Sequence, residues 1–142
     1  MREKRLLPFL LVAVVLLAAA GCNSRPNVSG VWKGSIESSD KRGRKWNGPA
    51  ELTLNQNGDA LTGTLAFTHP QGGRVQIPIS SGVVSKDAVT FSGQTQLPMG
   101  SIELTFHGKA AGASLSGNAD MTLRALLLGA ETNPASLSLR KE

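Results

Sequence analysis

One cysteine, two histidines and ten acids are the residues of this 142-residue chain best suited to chemistry. The cysteine is Cys22, and a thiolate can serve as nucleophile, metal ligand or redox partner when neighbours activate it. The histidines are His69 and His107, and metal binding or proton transfer requires partners for them at defined spacing. His69 falls in the loop His69-Pro70-Gln71-Gly72-Gly73, and His107 has the outward parity of a strand, so both read as exposed structural positions. Glu37, Glu51 and Glu103 also have outward parity, which leaves no interior carboxylate pair. No Gly-x-Ser-x-Gly elbow occurs; Gly112 to Gly117 comes nearest, has one residue too many, and reads as a hairpin. Phosphate loops, calcium loops and metal-spaced clusters are absent from the sequence. The expectation is a non-enzymatic protein with no catalytic residue, metal or cofactor.

Cys22 acquires meaning from what precedes it. Arg2, Lys4 and Arg5 form a basic start, and an apolar stretch from Leu6 to Ala20 follows, interrupted by Pro8. Ala18, Ala19, Ala20 and Gly21 then lead into Cys22. This is the three-part layout of an export signal. The stretch falls short of the roughly 20 apolar residues that a membrane-spanning helix needs. A single cysteine in an exported chain has no intramolecular disulfide partner, so another role is expected of it.

The run ending in Gly21-Cys22 resembles the lipobox of bacterial lipoproteins, with Ala19 where that family more often has leucine. The resemblance implies that the Cys22 thiol receives a diacylglyceryl group. Cleavage then falls between Gly21 and Cys22, and the new amino group is acylated, palmitate being a usual chain. Asn23 follows the cysteine. In enterobacterial members an aspartate there retains the protein in the inner membrane, so its absence leans toward the outer membrane. Two or more acyl chains give stable anchoring. The implied organisation is a signal peptide over 1–21, a lipidated tether over 22–27 and a folded domain over 28–142.

Without Arg2, Glu3, Lys4 and Arg5, 12 basic and 9 acidic residues remain, a net charge of about +3. So mild a charge calls for no nucleic acid, which an exported protein rarely meets. The length suits one domain with a real core. Tyrosine is absent and glycine abundant, a composition of short strands and tight turns.

Period-two alternation runs through the domain. Val28, Gly30, Trp32, Gly34 and Ile36 share one face, followed by Ala50, Leu52 and Leu54. Leu61, Gly63, Leu65 and Phe67 come next, beyond the turn Asn57-Gly58-Asp59. Val75, Ile77 and Ile79 alternate around Pro78, which has no N–H and therefore predicts a short, bulged or edge strand. Gly82 to Ser85 reads as a separate short strand. Val89, Phe91 and Gly93 follow, then Ile102, Leu104, Phe106 and Gly108, then Leu115 to Leu123. Met121 to Gly129 is read as strand rather than helix, and the last strand spans Ala135 to Arg140 with Leu137 and Leu139 inward. In Leu61-Thr62-Gly63, Phe91-Ser92-Gly93, Phe106-His107-Gly108 and Leu115-Ser116-Gly117 an inward glycine permits the coiling that closes a small barrel. The predicted class is all-β: an antiparallel up-and-down meander barrel of about eight strands.

Gly30-Val31-Trp32 on the first strand resembles the Gly-x-Trp motif of lipocalins and related calycins. The resemblance implies that Trp32 plugs one end of the barrel, under an arginine from a late strand. Arg140 is the candidate, and cation–π stacking would hold it there. Its parity is that of Ser136 and Ser138, so this contact requires a bulge.

Two binding regions follow. The interior, with Trp32, Phe67, Phe91 and Phe106, is either a packed core or a cavity for a small apolar ligand. The run Lys41-Arg42-Gly43-Arg44-Lys45, closed by Trp46, is either a solvated hairpin loop or a candidate grip for anionic lipid or glycan. The leading expectation is a lipid-anchored envelope barrel that binds a small apolar ligand or envelope component. The alternative is a solid interaction module whose basic loop meets anionic lipid, glycan or protein.

Overall fold

The computed structural model describes residues 26–40, 42–70, 73–98, 100–127 and 129–142. The segment 1–21 expected to be a signal peptide, Gly21 and Cys22 at its end, most of the expected tether, and Lys41 lie outside the described residues. Eight strands follow one another along the chain: β1 (Gly30–Ser39), β2 (Lys45–Asn57), β3 (Ala60–His69), β4 (Gly73–Ser85), β5 (Ala88–Leu97), β6 (Gly100–Ala111), β7 (Ser114–Ala125) and β8 (Gly129–Lys141). Each pairs antiparallel with the next, and β8 returns to β1, so the sheet is a closed up-and-down barrel. Closure removes the exposed edges that would otherwise recruit further strands.

The alternation in the sequence becomes the inside and outside of this barrel. Trp32, Ile36, Leu52, Leu54, Leu65, Ile77, Leu104, Phe106, Leu115, Leu137 and Leu139 are buried in one interior cluster. Polar and charged residues such as Lys33, Glu37, Gln76, Thr105, His107 and Asp120 face outward and are exposed or half-exposed. An apolar lining under a polar exterior is the reverse of a transmembrane barrel's pattern.

Two strand boundaries differ from expectation. The separate strands read around Ile79 and at Gly82–Ser85 are one strand, β4, thirteen residues long. It is neither short nor an edge: β3 and β5 pair with it on either side. Its ladder with β5 shifts between Ile79 and Ser81, and such an irregularity changes which parity points inward. Ile77 and Ile79 are buried before it and Val84 after it, so two runs of opposite parity form one element. The stretch after Met121 is strand as far as Ala125, and Leu126 and Leu127 form the turn into β8.

The inward glycines let neighbouring strands approach closely. A Cβ on Gly117 would run into the His107 carbonyl and the Gly108 Cα. A Cβ on Gly63, whose φ is +148°, would strike the Thr53 carbonyl of β2. Phe91 and Phe106 stack with ring centroids 4.8 Å apart in the middle of the barrel. Leu52, Leu65, Ile77, Leu104 and Phe106 are at most 1% exposed, so the interior is packed, and its two ends are built differently.

Candidate functional site: the barrel mouth

One end is closed. Trp32 is 1% exposed, and its indole Nε1 donates to the Val28 carbonyl at 3.0 Å. Val28 is itself buried, and its N–H donates to Gln56 Oε1 at 2.9 Å. The cation over the Trp32 ring is Lys141, with Nζ 5.8 Å from the centroid. Arg140, the sequence candidate, is exposed on the outer face. The reason is parity: Leu137 and Leu139 point inward, so the next residue to turn in is Lys141, and no bulge intervenes. Gly30 belongs to the same contact, because a Cβ there would come 3.0 Å from Lys141 Cε. The glycine of the tripeptide makes room for the lysine stem that caps its tryptophan. Backbone bonds tie the final residues down: Lys141 N–H donates to the Ala113 carbonyl at 2.8 Å and Glu142 N–H to the Val31 carbonyl at 2.9 Å. Lys33 and Glu142 form a 2.7 Å ion pair beside them. The Glu142 carboxylate, as hydrogen-bond acceptor and as nearby negative charge, raises the Lys33 pKa above its ordinary value.

The other end is open. An apolar pocket of about 230 Å³ sits among the strand ends there. Trp46 of β2 stacks on Phe67 of β3, with centroids 6.1 Å apart, and its ring lies 4.5 Å from that of His69. Leu97, Ile102, Met121 and Leu123 form the facing wall, and Ser38 and Asn133 supply polar edges. Leu126 and Leu127, on the turn between β7 and β8, stand 81% and 94% exposed at this end. This arrangement can take up an apolar group and leave attached polar atoms in water.

Outside this mouth, at the seam between β1 and β8, lies a cleft of about 820 Å³. The last rung between the two strands is Ser38–Ala135, and the Ser38 hydroxyl donates to the Pro134 carbonyl at 2.7 Å. Beyond that rung β8 pairs with β7 alone, and the cleft opens. Ser38 and Trp46 line both the pocket and the cleft.

The basic run is divided by the fold. Arg42, Arg44 and Lys45 are exposed on the β1–β2 hairpin at the mouth end. Trp46 has the inward parity of Ala50 and Leu52 and belongs to the pocket wall, and at the rim it also borders the outer cleft beside Lys45. Asp40 organises the hairpin by accepting from the backbone N–H of Arg42 and of Arg44, each at 2.9 Å, and from Arg44 Nε at 2.9 Å. The backbone N–H of Arg44 first, with that of Arg42 and the guanidinium charge, holds the Asp40 carboxyl below the ordinary aspartate range. One of the cations thus already has an anionic partner.

His107 is outward and exposed on β6, far from His69 in the ring of strands. Among the described residues no three His, Cys, Asp or Glu side chains gather into a metal-sized cluster. Leu97, Ile102, Met121 and Asn133 were not singled out as site residues by sequence reasoning. Their signal is inward parity at strand ends on the same side of the meander. The chain matches no protein-family model and no curated protein sequence.

Proposed function

We propose that this chain is a non-enzymatic, lipid-anchored barrel of a bacterial cell envelope that holds the end of a small apolar ligand in its mouth. The mouth pocket carries this reading: it is lined by Trp46, Phe67, Leu97, Ile102 and Met121, yet open at the rim. An apolar surface left uncovered beside exposed Leu126 and Leu127 is costly unless something occupies it.

The anchor would face the opposite way. The chain enters the barrel at the closed end, where Val28 is buried and Lys141 Nζ lies 3.4 Å from the Asn27 carbonyl. A fully extended path from Cys22 to Val28 spans about 20 Å. Strands of 10 to 13 residues, tilted at about 40°, make walls about 25–33 Å tall. An upright barrel therefore keeps its mouth, and the Arg42–Lys45 hairpin, away from the anchoring bilayer. That polarity favours a ligand met in the envelope space over headgroups of the same membrane.

Native mass spectrometry of the protein after mild extraction tests the ligand. A bound apolar molecule that Trp46→Ala abolishes is the expected result; an empty barrel, with no apolar compound raising Tm, defeats the reading. For the anchor, Cys22→Ser should leave an unprocessed precursor without lipid label, and label persisting on that variant would refute lipidation there.

A further inference from the structure

We infer that the ligand is an uncharged amphiphile: a short alkyl end fills the mouth pocket, and a polyhydroxylated, sugar-like head lies in the seam cleft outside it. The inference rests on the mouth being a binding site, and names what that site takes.

Size comes first. The mouth pocket, at about 230 Å³, is smaller than most ligand sites. A pocket of that order takes a short alkyl end rather than a long chain. An acyl chain of membrane length would not fit, because side chains such as Leu52, Leu104, Phe106 and Leu137, all almost fully buried, fill the barrel below. The adjoining cleft, about 820 Å³, lies within the usual ligand range. Since Ser38 and Trp46 form walls of both, one molecule can pass over the rim and occupy the two together.

Chemistry comes second. Asn47, Glu37, Ser136 and Asn118 are successive rungs across β2, β1, β8 and β7, so they form one transverse row along the cleft. Adjacent strands put such side chains about 4.8 Å apart. Among the described residues, none of these four side chains hydrogen-bonds to another side chain. Amide, carboxylate and hydroxyl groups together offer both donors and acceptors. Sugar hydroxyls, each of which donates and accepts, answer that set. Glu37 and Lys45 place one acid and one base in the cleft, which suits an uncharged head better than a phosphate or a quaternary amine. Trp46, Pro70 and Pro134 supply flat apolar surface for the C–H faces of a ring.

The test uses the acylated mature protein kept soluble in amphipol, with tryptophan fluorescence as the readout. Trp32 is sealed at the far end and acts as a constant background. Octyl glucoside, below its micelle concentration, should bind about tenfold or more tighter than 1-octanol, a gain of the size expected from added hydrogen bonds. Glucose alone should bind far more weakly. Glu37→Ala with Asn118→Ala should erase the preference for octyl glucoside and leave 1-octanol unaffected, and Ser136→Ala should reduce it in the same direction. Equal affinity for octyl glucoside and 1-octanol, a preference that survives these substitutions, or tighter binding of octyl sulfate would each overturn the sugar-like head while leaving the mouth as an apolar site. Binding of none of the amphiphiles would defeat the mouth reading itself, and this inference with it.

Discussion

The two ends of the barrel use the same residue types to opposite effect, and the two tryptophans make the contrast plain. Trp32 is buried, its N–H is satisfied by Val28, and Lys141 covers its face. Trp46 is half-buried, shares its ring with Phe67 and His69, and borders both an apolar pocket and an outer cleft. At the closed end the Glu142 N–H ties the last strand to Val31 of the first, and the Lys141 N–H ties it to Ala113 in the β6–β7 turn. At the mouth the β1–β8 ladder stops at Ser38, and the β7–β8 turn presents leucines to solvent. One end therefore carries stability, and the other keeps apolar surface available.

The sharpest way to break this contrast is to remove each tryptophan in turn. Trp32→Ala empties a fully packed site and should cost about 3–5 kcal/mol, the range for large aromatic truncations in cores. Trp46→Ala should cost much less, about 1–2 kcal/mol, because its ring is already partly in water. Urea unfolding of both variants measures the difference. Equal losses would mean that the mouth is as much a part of the core as the plug.

A smaller effect separates Lys141 from Arg140. Lys141→Ala removes a cation over an aromatic face and should lower stability by about 0.5–1 kcal/mol. Arg140→Ala, on the exposed outer face, should change it by less than about 0.5 kcal/mol. The reverse order, read by thermal denaturation, would place the arginine over Trp32 after all.

The smallest effects distinguish the ends by pH. At the closed end, the Lys33 pKa is raised by Glu142, so that pair stabilises the fold below the unfolded lysine value, 10.5, and its contribution is lost as pH rises through the higher folded value. At the mouth, the Asp40 pKa is lowered by the N–H groups it accepts. Its contribution is present above the unfolded value, 3.8, and is lost as pH falls through the lower folded value. NMR titration should therefore place the loss of the Lys33 charge in stronger alkali than for an ordinary lysine, and should move the Arg42 and Arg44 amides only in strong acid. Both groups are exposed, so added salt should shrink both effects. Amides of Arg42 and Arg44 that shift at ordinary aspartate pH would show that Asp40 does not organise the hairpin.

Much of the barrel was legible in alternation, because a strand with one buried face writes its period into the sequence. Val28, Trp32 and Ile36, or Ile102, Leu104 and Phe106, could be assigned to the interior by parity alone. β4 was misread as two strands because the irregularity between Ile79 and Ser81 reverses that parity within one continuous ladder. Trp46 was grouped with Lys41 to Lys45 by adjacency. Its parity with Ala50 and Leu52 pointed inward and was the better guide. For Arg140 the parity warning was sound, and the next residue proved to be the cation.

The sequence by itself determined that the domain is all-β, which side of each strand is apolar and where most turns fall, because these follow from local spacing and backbone preference. The proposed role of Cys22 as an anchor likewise rests on order along the chain rather than on folding. Tertiary structure alone decided that Lys141 meets Trp32, that Glu37 and Asn118 share a row, and that buried side chains fill the barrel below a shallow mouth. Those relations depend on how β8 registers against β1 when the sheet closes. Register between strands a hundred residues apart is set by the packing of the whole ring, and no local pattern encodes it.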